Sequence, residues 1–111
     1  MKSAKRKLLK KYLNERRVFV ATVQAINYSK NKLTVMDIYM VDEGKLKRVG
    51  NHLHVFNVSG KTMREISYYD IINFTAIPFR YRKNALEGKS SNYSLKGIDD
   101  INVWEVSYNE Q

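Results

Sequence analysis

Ile72, Phe74 and Ala76 stand two residues apart, with Asn73 and Thr75 between them. Successive side chains of a strand point to opposite faces, so the three apolar groups share one face and the polar pair the other. The spacing predicts a half-buried strand over 70–82, inside the longer stretch 68–83. Past Pro78 the character changes, and Phe79, Arg80, Tyr81, Arg82 and Lys83 set rings beside cations. A single strand thus supplies both core and a basic edge. It needs partners, and the rest of the chain must provide them.

The partners are readable. Over 17–28, Val18, Val20, Thr22, Gln24 and Ile26 form one face and Phe19, Ala21, Val23 and Ala25 the other. Both are largely apolar, as expected of a strand inside a closed barrel or under a helix. Ser29–Asn31 predicts a turn and 32–41 a second, antiparallel strand. Asp37 is the one acid in that run, placed to pair with a cation or to sit at a bulge. Asp42-Glu43-Gly44 is a hairpin signal, because glycine accepts a positive φ. A third strand covers 45–58, and Gly50-Asn51 predicts a bulge within it. Residues 61–68 read as a short helix or turn whose Met63 and Ile66 plug one barrel end. An exposed loop over 83–92 leads to a last strand over 93–106, kinked at Gly97 or Asp99-Asp100. Val103 and Trp104 are expected to fasten that end to the core.

The amino end differs. Residues 3–15 predict a helix capped by Ser3, with Ala4, Leu8, Leu9, Tyr12 and Leu13 as one apolar stripe. The stripe either docks on the domain or belongs to a free basic arm, and a docked helix can still present cations outward. Of the twenty Lys and Arg residues, eight lie in the first seventeen positions, against one acid, Glu15. The formal charge of +9 is therefore concentrated at one end. That asymmetry suits a polyanionic partner. The division expected is an arm over 1–16, a barrel over 17–107 and a frayed tail over 108–111.

The hydrophobic fraction of 43% excludes a disordered chain, and the lack of cysteine excludes a disulfide framework or a thiolate metal site. No run is long enough to span a membrane, the stripe carries no Trp or Phe for a membrane surface, and no secretory signal is expected, so the location predicted is cytoplasmic. His52-x-His54 places two imidazoles on one face but lacks a third ligand nearby, so no metal and no cofactor is expected. There is no phosphate-binding glycine loop, no H-E-x-x-H and no G-x-S-x-G. The chain reads as a binding module and not an enzyme.

Three strands, a short helix and two further strands give the predicted fold class. It is all-β: a five-stranded OB-fold-like Greek-key barrel with an N-terminal basic amphipathic helix and a short helix between strands 3 and 4. Asn51-His52-Leu53-His54-Val55, followed by Tyr69-Asp70-Ile71-Ile72-Asn73-Phe74-Thr75-Ala76 and later by Tyr93-Ser94-Leu95, resembles small OB-like proteins of Gram-positive phages, plasmids and integrative elements. Those carry an HLW-type strand and a G-D-x-I-x-F-x-A strand. The similarity covers about Arg17–Trp104, with His54 where they have tryptophan and Tyr69 where they have glycine. It implies the fold and a mobile-element setting.

An OB barrel binds on strands two and three and on the loops joining strands one to two and four to five. The candidates are Lys5, Arg6, Lys10, Lys11 and Arg17 on the arm, Lys30 and Lys32 at the first loop, and Arg48, His54 and Phe56 on strands two and three. Arg80, Tyr81, Arg82 and Lys83 open the last loop. Cations would follow phosphates while Tyr81 and Phe56 stack on bases. The plain alternative makes Tyr39, Phe56 and Phe79 core residues and the cations a solvated surface. The expected partner is nucleic acid, single-stranded or structured DNA or RNA. The rival expectation is a protein-interaction adaptor, or an inhibitor of a host nucleic-acid enzyme, with a host or element-encoded protein as partner.

Overall fold

The computed structural model describes residues 7–82 and 91–104. Five strands, β1 (Arg17–Asn27), β2 (Lys32–Asp42), β3 (Lys45–Val55), β4 (Ile71–Arg82) and β5 (Ser91–Val103), form one antiparallel sheet in the order β3-β2-β1-β4-β5. The first three make a meander and the fourth returns beside the first, which is the Greek-key arrangement. One short helix, α1 (Gly60–Glu65), connects β3 to β4.

The alternation sets which face is inside. Phe19 lies between Met40 and Phe74 in register, and all three are buried, with the rings of Phe19 and Phe74 stacked at 5.8 Å. Ala21 faces Ile72, and Val23, Val35 and Leu53 form the next row of the core. Met63 and Ile66 flank the end of α1 and close one end of this core, each 2% exposed. The Ser59 hydroxyl caps α1 by accepting from the Thr62 backbone N–H.

The turns follow their chemistry. Asp42 pairs with Lys45 across a two-residue loop in which Glu43 and Gly44 both have positive φ, 52° and 77°, the mirror-image turn that suits the strand twist. Asn31 adopts φ 50° after the short 3-10 turn Tyr28–Lys30. Asp37 sits in a bulge of β2 with φ 50° and pairs with Arg48 at 2.8 Å, so it does both things its position suggested. The bulge of β3 falls next to Gly50: Tyr39 faces Arg48 while Ile38 faces Gly50, leaving buried Val49 as the extra residue. β5 is irregular on both sides of Asp99, with positive φ at Gly97 and Asp100. The kink expected at Gly97 or at Asp99-Asp100 is found at both places.

Three expectations need correction. The described part of the amino-terminal helix is a 3-10 helix over Lys7–Tyr12. Three residues per turn align Leu9 with Tyr12 and leave Leu8 off that edge. Leu9 is accordingly buried and Leu8 is 49% exposed, so the predicted stripe is split. Ser3 and Ala4 lie outside the described residues. Second, the sheet is open: β3 and β5 are its edges and are not hydrogen-bonded to each other. Third, Val103 packs on the core as expected, but Trp104 is 45% exposed and is held by its backbone N–H donating to the Ile71 carbonyl. Of the loop expected over 83–92, Ser91 and Asn92 belong instead to β5, and 83–90 lie outside the described residues, as does the tail from 105.

The amino-terminal segment bridges the two edges at one end. Its 3-10 helix touches β3, β4 and β5. The Tyr12 hydroxyl donates to Asp42 at 2.9 Å, and Arg16 donates to the Gly97 carbonyl of β5 and to the Thr75 hydroxyl, both at 2.8 Å. Asn14 N–H donates to the Pro78 carbonyl. Beyond Ala76, β4 has left β1 behind and pairs only with β5 from Ile77 to Arg82. The sheet therefore ends there in a two-stranded ribbon.

Candidate functional site

The pleat decides which candidates can act together. On the outward face of β2 and β3, Thr34 stands opposite His54 and Met36 opposite His52, one row before Lys32 and Phe56. Thr34 Oγ1 and His54 Nδ1 are 3.0 Å apart, which orients that imidazole. The rings of His52 and His54 lie 6.0 Å apart, and those of His54 and Phe56 6.2 Å. The Lys32 ammonium sits 5.8 Å from the Phe56 ring centroid, within cation–π range. Phe56 is 58% exposed, so it is a surface ring and not a core one.

Curvature brings β5 opposite this face. A cleft of about 360 Å³ is lined by His54, Phe56 and Asn57 on one side and by Leu95, Lys96, Gly97 and Ile98 on the other. On the β5 side the Lys96 ammonium lies 5.4 Å from the Phe79 ring centroid. Phe79 in turn is 6.0 Å from Tyr81. Two runs of rings spaced about 6 Å apart, His52–His54–Phe56 and Phe79–Tyr81, each with an ammonium beside it, thus lie on the two sides of the gap between the sheet edges.

The other candidates fall into three groups. Arg17 and Arg48 are engaged. Arg17 pairs with Asp42 at 2.8 Å and Glu15 at 3.2 Å and lies over the Tyr12 ring, while Arg48 bonds Asp37 and Asn51. Lys10, Lys11, Lys30 and Arg80 are exposed. Lys5, Arg6 and Lys83 lie outside the described residues, and Arg82 is placed by its backbone, which pairs with Ser91. The basic cluster that sequence placed at the mouth of a loop is largely within β4. Alternation therefore sets Arg80 on the face of Pro78 and Tyr93, and Tyr81 on the opposite face with Phe79.

Asp42 anchors the far end of the molecule. Lys47 and Tyr12 both donate to it, and these hydrogen bonds, Lys47 first, hold its carboxyl below the usual carboxylate range. The same partnership raises the Lys47 ammonium above its ordinary value. Within this cluster Arg17 and Lys47 are both paired to acids of the protein itself.

Sequence reasoning missed Lys96 as a site residue and left Phe79 out of the candidate set, with a core position as its plain alternative. Their contact depends on Ile77 facing Lys96, and that register follows two irregularities of β5. The alternation of Phe79 and Tyr81 was the available signal for a shared ring face. Among the described residues no group of three His, Asp or Glu converges in a way that could hold a metal ion, and no helix is long and apolar enough to cross a membrane. Searches against protein-family models, curated proteins and solved structures return no match to this chain.

Proposed function

We propose that the chain is a binding module for single-stranded nucleic acid built on an OB-fold-like barrel. The observation that carries this reading is the pair of ring runs, His52–His54–Phe56 with Lys32 and Phe79–Tyr81 with Lys96, on the two sides of the gap. Bases stack on exposed rings whatever their sequence, while cations track the phosphates. Steps of about 6 Å between rings match the reach of an extended strand of nucleotides, whose backbone is flexible where a duplex is stiff. The strand order and the facing edges β3 and β5 agree with an OB barrel, which is a partly open Greek-key barrel. The mobile-element setting and cytoplasmic location belong to the same reading and rest on the sequence resemblance and residue usage.

Fluorescence anisotropy of labelled single-stranded DNA, single-stranded RNA and duplex DNA over a salt series tests it. Single strands should bind more tightly than duplex, and log affinity should fall with log salt by about 0.7 per phosphate neutralised. Equal affinity for duplex, or binding indifferent to salt, would overturn the stacking mechanism.

A second reading, a protein-interaction adaptor or inhibitor, is favoured by a different surface. Val18, Ile71 and Trp104 are 41%, 36% and 45% exposed on the outward side of β1, β4 and the end of β5. A stoichiometric protein complex that survives nuclease and is lost in Trp104→Ala would support it over the first.

A further inference from the structure

The cleft between the sheet edges has the form of a pocket for one base. We infer that a single nucleobase inserts between the His54–Phe56 wall and the Leu95–Ile98 wall, with its phosphate held by Lys96 and Lys32. The inference rests on the reading above and specifies what the gap contributes to it.

A nucleobase needs four things from a protein: a π-face, an apolar group on the opposite face, a hydrogen-bonding group at its edge, and a cation near its phosphate. His54 and Phe56 supply the first, with rings 6.2 Å apart and inclined at 50°. Leu95 and Ile98, aliphatic and half-buried, supply the second from across the gap. Asn57 lines the same cleft and carries an amide that can both donate and accept. Lys96 lies at this wall and Lys32 beside Phe56. Among the described residues neither lysine has a carboxylate partner, so each is available to an incoming anion. The volume of about 360 Å³ leaves room for a base with part of its sugar.

The neighbouring space fixes the orientation. A second cleft of about 410 Å³ continues past Asn57 and Ile98 and is lined by Asp99 and Asp100 together with Ser59 and Thr62. Its carboxylates repel phosphate. The phosphate end of the nucleotide therefore points toward the two lysines and the base edge toward Asn57.

The test is a titration of the ¹⁵N-labelled full chain with adenosine 5′-monophosphate, and in parallel with ribose 5-phosphate, followed by amide resonances. The nucleotide should move the amides of Asn57, Gly97 and Ile98, ribose 5-phosphate at the same concentration should not, and Phe56→Ala should abolish the response. Phe56 is exposed, so this variant retains the fold, which its unchanged remaining spectrum will verify. Equal shifts with both compounds would make the cleft a simple anion site and overturn the inference. No shift, in a protein that still binds single-stranded oligonucleotide, would overturn the base pocket alone. No shift and no oligonucleotide binding would overturn the whole reading.

Discussion

Two ends of this molecule gather rings and cations, and they do different things. Around Asp42, Arg17 and Lys47 meet a carboxylate, and Arg17 and Tyr12 face each other, ring to guanidinium. Along the gap between the sheet edges, Lys32 lies by Phe56 and Lys96 by Phe79, with no acid paired to either lysine among the described residues. The same side-chain types thus build a fastening at one end and an open surface at the other. What separates them is the acids, Asp42 and Glu15, that stand among the cations of the fastened end. Net charge counted along a chain does not equal charge offered to a partner.

The largest expected effect sharpens the open end. Removing one stacking ring costs about 1–3 kcal/mol of binding per base, or roughly 5- to 150-fold in affinity. Phe56→Ala and Phe79→Ala should each fall in that range by anisotropy on single-stranded DNA. Arg17→Ala should not, although its charge loss is greater. Equal losses in all three would erase the distinction between the ends.

Gly97 joins the two ends, since Arg16 of the amino-terminal segment bonds its carbonyl. Its φ of +63° is unfavourable for other residues by about 1–2 kcal/mol. An added Cβ would also stand 3.0 Å from the Arg16 guanidinium. Gly97→Ala should lower stability by about that amount in urea unfolding, and loosen Arg16 as seen in its side-chain resonances.

Asp42 allows a pH test of the fastened end. Its carboxyl pKa is lowered in the folded protein, so the folded state holds fewer protons there than the unfolded state does. The stabilisation is present above the ordinary carboxylate range and fades as pH falls through the lowered value. Asp42→Asn should therefore reduce the melting temperature at pH 7 and flatten its decline below pH 4. A variant that melts like the parent at pH 7 would show that the cluster fastens nothing.

The smallest effect is in salt dependence. Lys32→Ala and Lys96→Ala should each reduce the slope of log affinity against log salt by about 0.7, the share of one phosphate on a single strand. Lys47→Ala should leave the slope unchanged, because its ammonium is already engaged by Asp42. A slope reduced equally by Lys47→Ala would break the comparison.

Much of the sheet was legible because its signals are local. Ile72, Phe74 and Ala76 announce β4 by alternation, and Asp42-Glu43-Gly44 announces its hairpin by turn chemistry. The amino-terminal helix was harder, since Leu8 and Leu9 suit an α or a 3-10 edge equally well until something docks against one of them. The candidate site was legible only in pieces. Lys32, His54 and Phe56 lie on two strands joined by a hairpin, so their proximity follows from β2 and β3 pairing. Lys96 reaches them through the curvature of the sheet, which is a property of no single segment. Arg17 and Arg48 looked available because their acids, Asp42 and Asp37, are 25 and 11 positions away.

The central place of β1 has a consequence for how the chain folds. Its pairing with β2 turns on a short loop, but its pairing with β4 brings Arg17 opposite Ala76, 59 positions later. Closing so long a loop is slow compared with forming a hairpin. The meander of the first three strands can be made while β1 still has a bare edge, and that edge is covered only when the carboxy-terminal third of the chain arrives. During synthesis this interval falls while the later strands are still emerging from the ribosome. An unpaired edge is a template for pairing with another chain. The step most exposed to aggregation is therefore the wait for β4, and a protein truncated before Ile71 should precipitate where the full chain stays in solution.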